Sequence, residues 1–156
     1  MSEKELSQYE VVNEKHLEVK GVETILPSCA DLGSAGDDFY SKNTVTIQPK
    51  EKFLFWTDVK AKLQPDEVLY IFVRSSVGIH RHLMLANTVG VIDSSYYNNE
   101  RNDGNIGLNL YNYGEEPVTI EVGERIAQGV VHKVAAMANR SPLSDTRAGG
   151  SGSSGK

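Results

Sequence analysis

The sequence predicts an all-β fold in a single domain, and three observations lead to this prediction. First, apolar and polar residues alternate over 106–110 and 118–122, which is typical of a strand with one buried face. Second, the continuous apolar runs at 53–56 and 68–73 are typical of strands buried on both faces. Third, turn-forming residues separate these segments, around Pro49, Pro65, Gly104 and Pro117. Short strands at this spacing indicate a sandwich, a barrel or a jelly roll.

Length, charge and cysteine content set the class of protein. The chain has 156 residues, which fits one domain of ordinary size, and a net charge of −5. This acidic balance argues against a nucleic-acid-binding protein, which normally shows a basic surface. No apolar run approaches the roughly 18 residues needed to cross a bilayer, and the single cysteine, Cys29, cannot form an internal disulfide. We therefore expect a cytoplasmic protein that binds neither nucleic acid nor membrane.

The end of the chain differs in character from the middle. We expect a β domain over residues 1–139 and a flexible C-terminal arm over residues 140–156. The arm has no large apolar side chain after Leu143, so it cannot bury enough surface to order itself alone. A helical spacing of apolar residues over 131–138 is too short to change the all-β prediction.

The segment Arg74-Ser75-Ser76 follows directly after the apolar run at 68–73. A guanidinium with two neighbouring hydroxyls offers one charge and short, orientable donors, which suits a phosphate group. The alternative interpretation is a strand that simply ends in a polar turn.

The segment from Gly90 to Tyr96 places Asp93 directly after an apolar strand. A carboxylate held at the end of a rigid strand can orient a water molecule and accept its proton. The alternative interpretation is an aspartate that only shapes a turn, which is the commoner role of this residue type.

Five segments together resemble, in order, the motifs of the trimeric dUTP diphosphatase (dUTPase) family, across roughly residues 9–156. They are SAGDDFYS at 34–41, RSS at 74–76, LANTVGVIDSSY at 85–96, GERIAQ at 123–128 and the Gly-rich segment from Arg147. This resemblance implies a jelly-roll fold of the dUTPase-like β-clip type and a homotrimer. It also implies three active sites, in which the C-terminal arm of one chain closes over a site formed by the other two.

The resemblance implies hydrolysis of dUTP to dUMP and diphosphate with Mg²⁺ as cofactor. Asp93 and Gln128 are the catalytic residues it implies: Asp93 activates the water that attacks the α-phosphorus, and Gln128 binds phosphate oxygens. Tyr96 would stack against the deoxyribose and exclude a 2′-hydroxyl, and Asp38 would contact the metal through water. The other implied substrate-binding residues are Arg74, Ser75, Ser76, Asn87, Gly90, Ile92, Gly104, Ile106, Arg147, Ser153 and Ser154.

Three positions depart from the family pattern. Ser151 stands where an aromatic residue usually stacks over the uracil, so we expect weaker binding or slower turnover. The stretch 97–103 is longer than the short pattern and is similar to dUTPases of Gram-positive bacteria and their phages. Asp58 stands where glycine is usual, and because Asp tolerates positive φ better than most residues, the local bulge can survive.

Two other functions fit parts of the pattern. A dCTP deaminase shares the fold and an Arg-Ser-Ser motif, but it needs a glutamate to move protons on the base, whereas this chain has Asp93 and Tyr96 in the dUTPase order. A regulatory protein with a dUTPase-like domain, especially if borne by a phage, would instead bind a repressor or other protein partner. Such binding could coexist with weak dUTPase activity.

Overall fold

The computed structural model describes residues 6–141, which form eleven β-strands and three short helical turns. The strands are β1 (Gln8–Val11), β2 (Asp37–Tyr40), β3 (Val45–Ile47), β4 (Lys52–Trp56), β5 (Val59–Lys62), β6 (Glu67–Val73), β7 (Leu83–Leu85), β8 (Gly90–Asp93), β9 (Gly107–Asn112), β10 (Val118–Ile120) and β11 (Arg125–Lys133). Two turns are 3₁₀-helical, at Glu14–His16 and Ser94–Tyr96, and a π-helical turn spans Ser76–His80. Among these described residues no helix is long and apolar enough to span a membrane.

The strands form two larger antiparallel sheets and two short ribbons. The first sheet has the order β2-β11-β6-β8, and the second has the order β4-β9-β7. β1 pairs with β5, and β3 pairs with β10. β11 occupies an interior position of the first sheet, bonded to β2 on one side and β6 on the other. The all-β prediction is therefore confirmed, and the helical spacing over 131–138 produces no helix.

The alternating pattern at 106–110 correctly predicts the buried face of β9. Ile106, Leu108 and Leu110 are all buried, and they join the core formed by side chains of both larger sheets. The second alternating segment is confirmed only in part. Ile120 is buried, but Val122 lies beyond the end of β10 and is exposed, because the chain turns there.

The prediction of strands buried on both faces is wrong for β4 and only partly right for β6. In β4, Phe55 is buried, whereas Leu54 is 40% exposed. In β6, Leu69 and Ile71 are fully buried, but Phe72 is 36% exposed. Successive side chains point to opposite faces of a strand, so these apolar runs cover the core on one face and leave apolar surface on the other.

Candidate active site

A pocket of about 730 Å³ opens where β8 ends, and six of the predicted site residues line it. These residues are Asn87, Gly90, Ile92, Asp93, Tyr96 and Ile106. Asp93 is the last residue of β8 and is half-buried, with the 3₁₀ turn Ser94–Tyr96 following it. The position predicted for Asp93, at the point where a packed strand gives way to a turn, is therefore confirmed.

The wall of this pocket includes apolar residues that the sequence analysis assigned only to the core. Leu54, Trp56 and Leu108 line it, together with Gly107. Leu54 and Trp56 lie on one face of β4 and Phe55 lies on the other. Both faces were predicted to be buried. The apolar run at 53–56 does not encode the exposure of Leu54 and Trp56, and partly exposed apolar side chains beside polar ones are typical of small-molecule pockets.

Asn87 lies in a tight turn between β7 and β8. Thr88 adopts φ +65°, its N–H donates to the Leu85 carbonyl over 2.9 Å, and the Val89 N–H donates to the Asn87 carbonyl over 2.8 Å. A β-branched residue rarely adopts this left-handed conformation, which costs roughly 1–3 kcal/mol and concentrates at functional sites. The turn leaves the Asn87 side chain exposed at the pocket.

Tyr96 is held at its hydroxyl by two groups of the following loop. The hydroxyl donates to the Asn105 carbonyl over 2.8 Å and accepts from Asn102 Nδ2 over 2.7 Å. Gly104, predicted to bind substrate, shapes this loop: its φ is +91°, and a Cβ there would lie 3.0 Å from the Tyr96 carbonyl oxygen. It is not among the residues that line the pocket.

The loop after Tyr96 is anchored by a buried ion pair. The Lys60 ammonium lies 2.9 Å from Asp103 Oδ2, and both side chains are only 6% exposed. The same ammonium donates to Asn98 Oδ1 over 2.7 Å and lies 5.0 Å from the centre of the Tyr97 ring. Burial raises the pKa of Asp103, but hydrogen bonds from the Asn13 N–H and from Lys60 outweigh it and lower the pKa below its ordinary value.

Asp58 keeps the backbone conformation expected at the usual glycine position, with φ +56°. Its buried carboxylate accepts hydrogen bonds from Lys42 Nζ at 2.5 Å, Asn105 Nδ2 at 2.8 Å and the N–H groups of Glu18 and Val19. Glu18 lines the pocket, so this network attaches the N-terminal segment to the pocket rim. The expectation that Asp tolerates positive φ here is confirmed, although Asp58 lies in the link between β4 and β5 and not at a bulge within a strand.

A second group of predicted residues gathers around Asp38. Arg74 Nε lies 2.9 Å from Asp38 Oδ1, and Arg125, which was not predicted as a site residue, contacts Asp38 Oδ2 at 3.2 Å. Gln128 pairs with Asp38 across β11 and β2. A Cβ at Gly36 would lie 2.9 Å from Gln128 Oε1, so the glycine makes room for this side chain. We call Asp38, Arg74, Arg125 and Gln128 the Arg74 cluster.

The two serines of the Arg-Ser-Ser segment are exposed beside this cluster. The Arg74 carbonyl accepts hydrogen bonds from the N–H groups of Val77 at 3.0 Å and Gly78 at 2.9 Å. Arg74 thus begins the tight turn that follows β6, and Ser75 and Ser76 stand on its outer side. The segment is both a polar turn and a surface rich in hydrogen-bond donors.

Asp93 and the Arg74 cluster lie at opposite ends of β6, and the pocket extends from Asp93 along β8 as far as Gly90, which pairs with Ile71. Val68, near the start of β6, pairs with Asp93, whereas Arg74 follows directly after the last residue of the strand. A strand rises roughly 3.3 Å per residue, so about 20 Å of strand separates Val68, the residue paired with Asp93, from Arg74 of the same chain. Three further predicted residues, Arg147, Ser153 and Ser154, lie outside the described residues, as does Ser151.

The described side chains do not form a metal-binding cage. Within residues 6–141 no three His, Cys, Asp or Glu side chains come together as a metal cluster. Each Asp38 oxygen already contacts a guanidinium, and the carboxylate retains lone pairs that can accept from water. This donor set fits an ion held mainly by substrate phosphates, because Mg²⁺ keeps several waters and commonly takes one or two carboxylates.

Comparison with known proteins decides the family to which this architecture belongs. The sequence profile of the dUTPase family matches residues 23–155. The chain belongs to the dUTPase family. This span contains all five motif segments, so the resemblance noted in the sequence is confirmed.

Relatives in the dUTPase family match most of the chain. It is 40% identical over 131 residues to a deoxyuridine 5′-triphosphate nucleotidohydrolase of Lactococcus lactis, which covers 83% of the chain and 87% of the relative. A protein with the same description from Shewanella piezotolerans is 38% identical over 143 residues, covering 86% of the chain and 90% of the relative. The Lactococcus relative supports the expected Gram-positive type.

Solved dUTPase structures share the fold. The crystal structure of dUTPase from Streptococcus mutans superimposes with a TM-score of 0.73 at 35% identity, covering 84% of this chain and 98% of that one. The dUTPase from phage phi11 of S. aureus superimposes with a TM-score of 0.71 at 21% identity, covering 90% and 97%. At that lower identity the likeness concerns the fold alone, which is the predicted jelly roll.

Proposed function

We propose that the protein hydrolyses dUTP to dUMP and diphosphate. The observation that carries this proposal is the position of Asp93, at the end of β8 on a pocket that Asn87 and Tyr96 also line. The family supports the same reaction, since the relatives described above are named as deoxyuridine triphosphate nucleotidohydrolases.

The Asp93 pocket is the nucleoside-binding half of the proposed site. Asn87 offers an amide with one acceptor and two donor hydrogens, which suits the edge of uracil, and the backbone from Gly90 to Ile92 would complete this recognition. The Tyr96 ring would stack against the sugar and leave no space for a 2′-hydroxyl. Ile106 and the apolar wall would exclude water from the base.

Asp93 would act as the general base of the reaction. Its carboxylate would accept a proton from water while the water oxygen forms a bond to the α-phosphorus. The bond from that phosphorus to the oxygen bridging toward the β-phosphate breaks, and diphosphate leaves with the electron pair. A half-buried carboxylate on a rigid strand end suits this task, because the attacking oxygen must be held within about 3.5 Å of phosphorus.

We expect the phosphate-binding half of the proposed site to come from another chain. Groups that bind the phosphate attacked at Asp93 have to lie within hydrogen-bond distance of it, but about 20 Å of strand separates Arg74 of the same chain from the residue paired with Asp93. We therefore infer that Arg74, Ser75, Ser76 and Gln128 of one chain serve the Asp93 pocket of its neighbour. A closed ring of such contacts gives the homotrimer that the family resemblance implies.

Three predicted residues complete the proposal from the C-terminal arm. Arg147, Ser153 and Ser154 would bind the γ end of the triphosphate. Bound Mg²⁺ would neutralise negative charge on the triphosphate as it develops in the transition state. Asp38 would hold a water of that ion and would also orient the Arg74 guanidinium, which it contacts directly.

The deciding experiment measures diphosphate release from dUTP with Mg²⁺, beside dCTP, dTTP and UTP. We expect turnover of dUTP alone, with a loss of about 10³-fold in Asp93→Asn and retained dUTP binding. Ammonia release from dCTP would support the deaminase alternative. Binding of dUTP by a trimer without turnover would contradict the proposal and favour the regulatory alternative.

A further inference from the structure

Asn102, in the loop that follows Tyr96, forms a direct hydrogen bond with the Tyr96 side chain. The Asn102 Nδ2 group donates to the Tyr96 hydroxyl over 2.7 Å, and that hydroxyl donates onward to the Asn105 carbonyl over 2.8 Å. Asn102 Nδ2 also lies 3.3 Å from the same carbonyl. The three groups form a triangle that fixes the tip of the ring in one position.

The orientation of the Asn102 amide is set by its other bonds. Its Oδ1 accepts from Asn99 Nδ2 at 2.8 Å and from the Gly104 N–H at 3.1 Å. Because both acceptor contacts require oxygen at that position, the amide nitrogen must face Tyr96. Asn99 is itself buried and bonded to the Tyr96 carbonyl, so the donor has little freedom to turn away.

The loop that carries Asn102 is rigid for a reason visible next to it. Asp103, the following residue, forms the buried ion pair with Lys60 on β5. Displacing the loop would separate the two buried charges and leave each without its partner, which is costly, so the loop resists displacement. Asn102 lies in the stretch 97–103, which is longer than the short pattern of the family, and it lines the same pocket as Asp93.

We propose that Asn102 is a positioning residue that sets the discrimination between 2′-deoxyribose and ribose by fixing the Tyr96 ring. This inference rests on the proposed function, in which Tyr96 lies against the sugar. Ribose differs from deoxyribose by one oxygen atom. If the Tyr96 ring could move by even part of the width of that atom, the 2′-hydroxyl would fit into the pocket. A ring held at both its packed base and its hydroxyl keeps the space closed.

The test compares kcat/KM for dUTP with kcat/KM for UTP in the full-length chain. Asn102→Ala should lower this ratio by about fivefold or more, since a hydrogen bond of this kind contributes roughly 1 kcal/mol. Tyr96→Phe, a milder change that keeps the ring, should lower it similarly. The double variant should fall no further than the lower single variant, because both changes remove the same bond. Glu100→Ala, an exposed position in the same loop, should leave the ratio unchanged.

Retention of the wild-type ratio in Tyr96→Phe would overturn the inference, and so would retention in a folded Asn102→Ala. Additive effects in the double variant would also contradict it, since they would mean that Asn102 acts apart from the Tyr96 hydroxyl. The ratio of the dissociation constants for dUMP and UMP measures discrimination between the two sugars without turnover. A wild type that binds dUMP selectively but releases no diphosphate would therefore contradict the proposed reaction while leaving the role of Asn102 measurable.

Discussion

The two ends of β6 present two different kinds of surface. At the Asp93 end, apolar walls, a strained turn and a network of buried amides enclose a pocket with a defined shape. At the Arg74 end, two guanidiniums contact one carboxylate, and the neighbouring serines are exposed. The difference matches what each half of a nucleotide demands. A base and a sugar are recognised by shape and hydrogen-bond pattern, so their pocket must be rigid, whereas phosphates are recognised by charge and donors.

Under the proposed function, this difference accounts for how one chain can carry the two halves of a site so far apart. The walls of a pocket that depends on buried packing are formed by side chains of a single folded chain. A set of charged groups at a strand end can be brought to a neighbouring chain by assembly alone.

The largest effect is expected when two inactive variants are mixed. Asp93→Asn and Arg74→Ala should each lower kcat/KM for dUTP by about 10²-fold or more. After joint refolding in equal amounts, about a quarter of the sites should combine an intact Asp93 with an intact Arg74 from the neighbour, and activity should return to about that fraction. Diphosphate release before and after mixing measures this.

A mixture that stays as inactive as its parents, although mass measurement shows mixed trimers, would contradict a site shared between chains. Mixing two different preparations of Asp93→Asn is the matched control. It should restore nothing, because every site in that mixture lacks the same carboxylate.

The second prediction concerns stability and compares one ion pair from each end. Lys60→Met leaves Asp103 buried without its partner and should cost about 3 kcal/mol of unfolding free energy. Arg74→Ala should cost less than about 1 kcal/mol, because the Arg74 side chain is partly exposed and Asp38 keeps Arg125. Urea unfolding of both variants measures the difference. Equal losses would mean that the pocket is no more rigidly built than the cluster.

A third and smaller effect is expected from Ser151, which lies outside the described residues. Restoring an aromatic ring by Ser151→Phe should raise kcat/KM for dUTP by about tenfold, since a base–aromatic stack contributes roughly 1–3 kcal/mol. Ser151→Leu is the control that adds apolar bulk without a stacking ring. If both variants behave like the wild type, the arm of this protein does not use that position for the base.

The smallest effect concerns pH and belongs to the pocket end. Burial raises the pKa of Asp58, but hydrogen bonds from Lys42, from Asn105 and from two backbone N–H groups outweigh it, so the pKa lies below its ordinary value of 3.8. A carboxyl with a lowered folded-state pKa stabilises the protein above the unfolded-state pKa, and this stabilisation is lost as pH falls through the folded-state value.

Unfolding free energy should therefore decline below about pH 4. Asp58→Asn tolerates the same left-handed backbone and cannot titrate, so its stability should be lower at neutral pH and should decline less steeply in acid. Urea unfolding at neutral pH and at about pH 3 checks this. Parallel declines in the two proteins would assign the acid sensitivity to other carboxyls.

The parts of the site that sequence could predict are those encoded by neighbouring residues. Asp93 at the end of an apolar strand and Asn87 in the preceding turn follow from local pattern, and the structure brings both to one pocket. The all-β fold follows from alternation and turn residues. In each case the pattern that predicts the feature lies within a short stretch of chain.

The parts that sequence could not predict depend on distant pairing. Arg125 reaches Asp38 because β11 lies beside β2, and Lys42 reaches Asp58 across a gap of sixteen positions. An aspartate at position 58, where glycine is usual, indicated that this turn departs from the family pattern. The residues near it in sequence do not identify the groups that bond to its carboxylate. The exposure of Leu54 depends on which face of β4 the core covers, and an apolar run does not encode that choice.

The place of β11 in the first sheet has a consequence for how the protein is made. β6 and β8 are near in sequence, whereas β11 must enter between β2 and β6 and meets β2 across roughly ninety residues of chain. Contacts between residues so far apart in sequence form slowly, because the chain loses the entropy of the intervening loop before the favourable contacts are made. We expect a nascent chain to pair β6 with β8 first and to gain the Arg74 cluster only when β11 has been synthesised. The proposed activity would then require β11, the segment that follows it and a neighbouring chain, so an unfinished chain could not consume nucleotide.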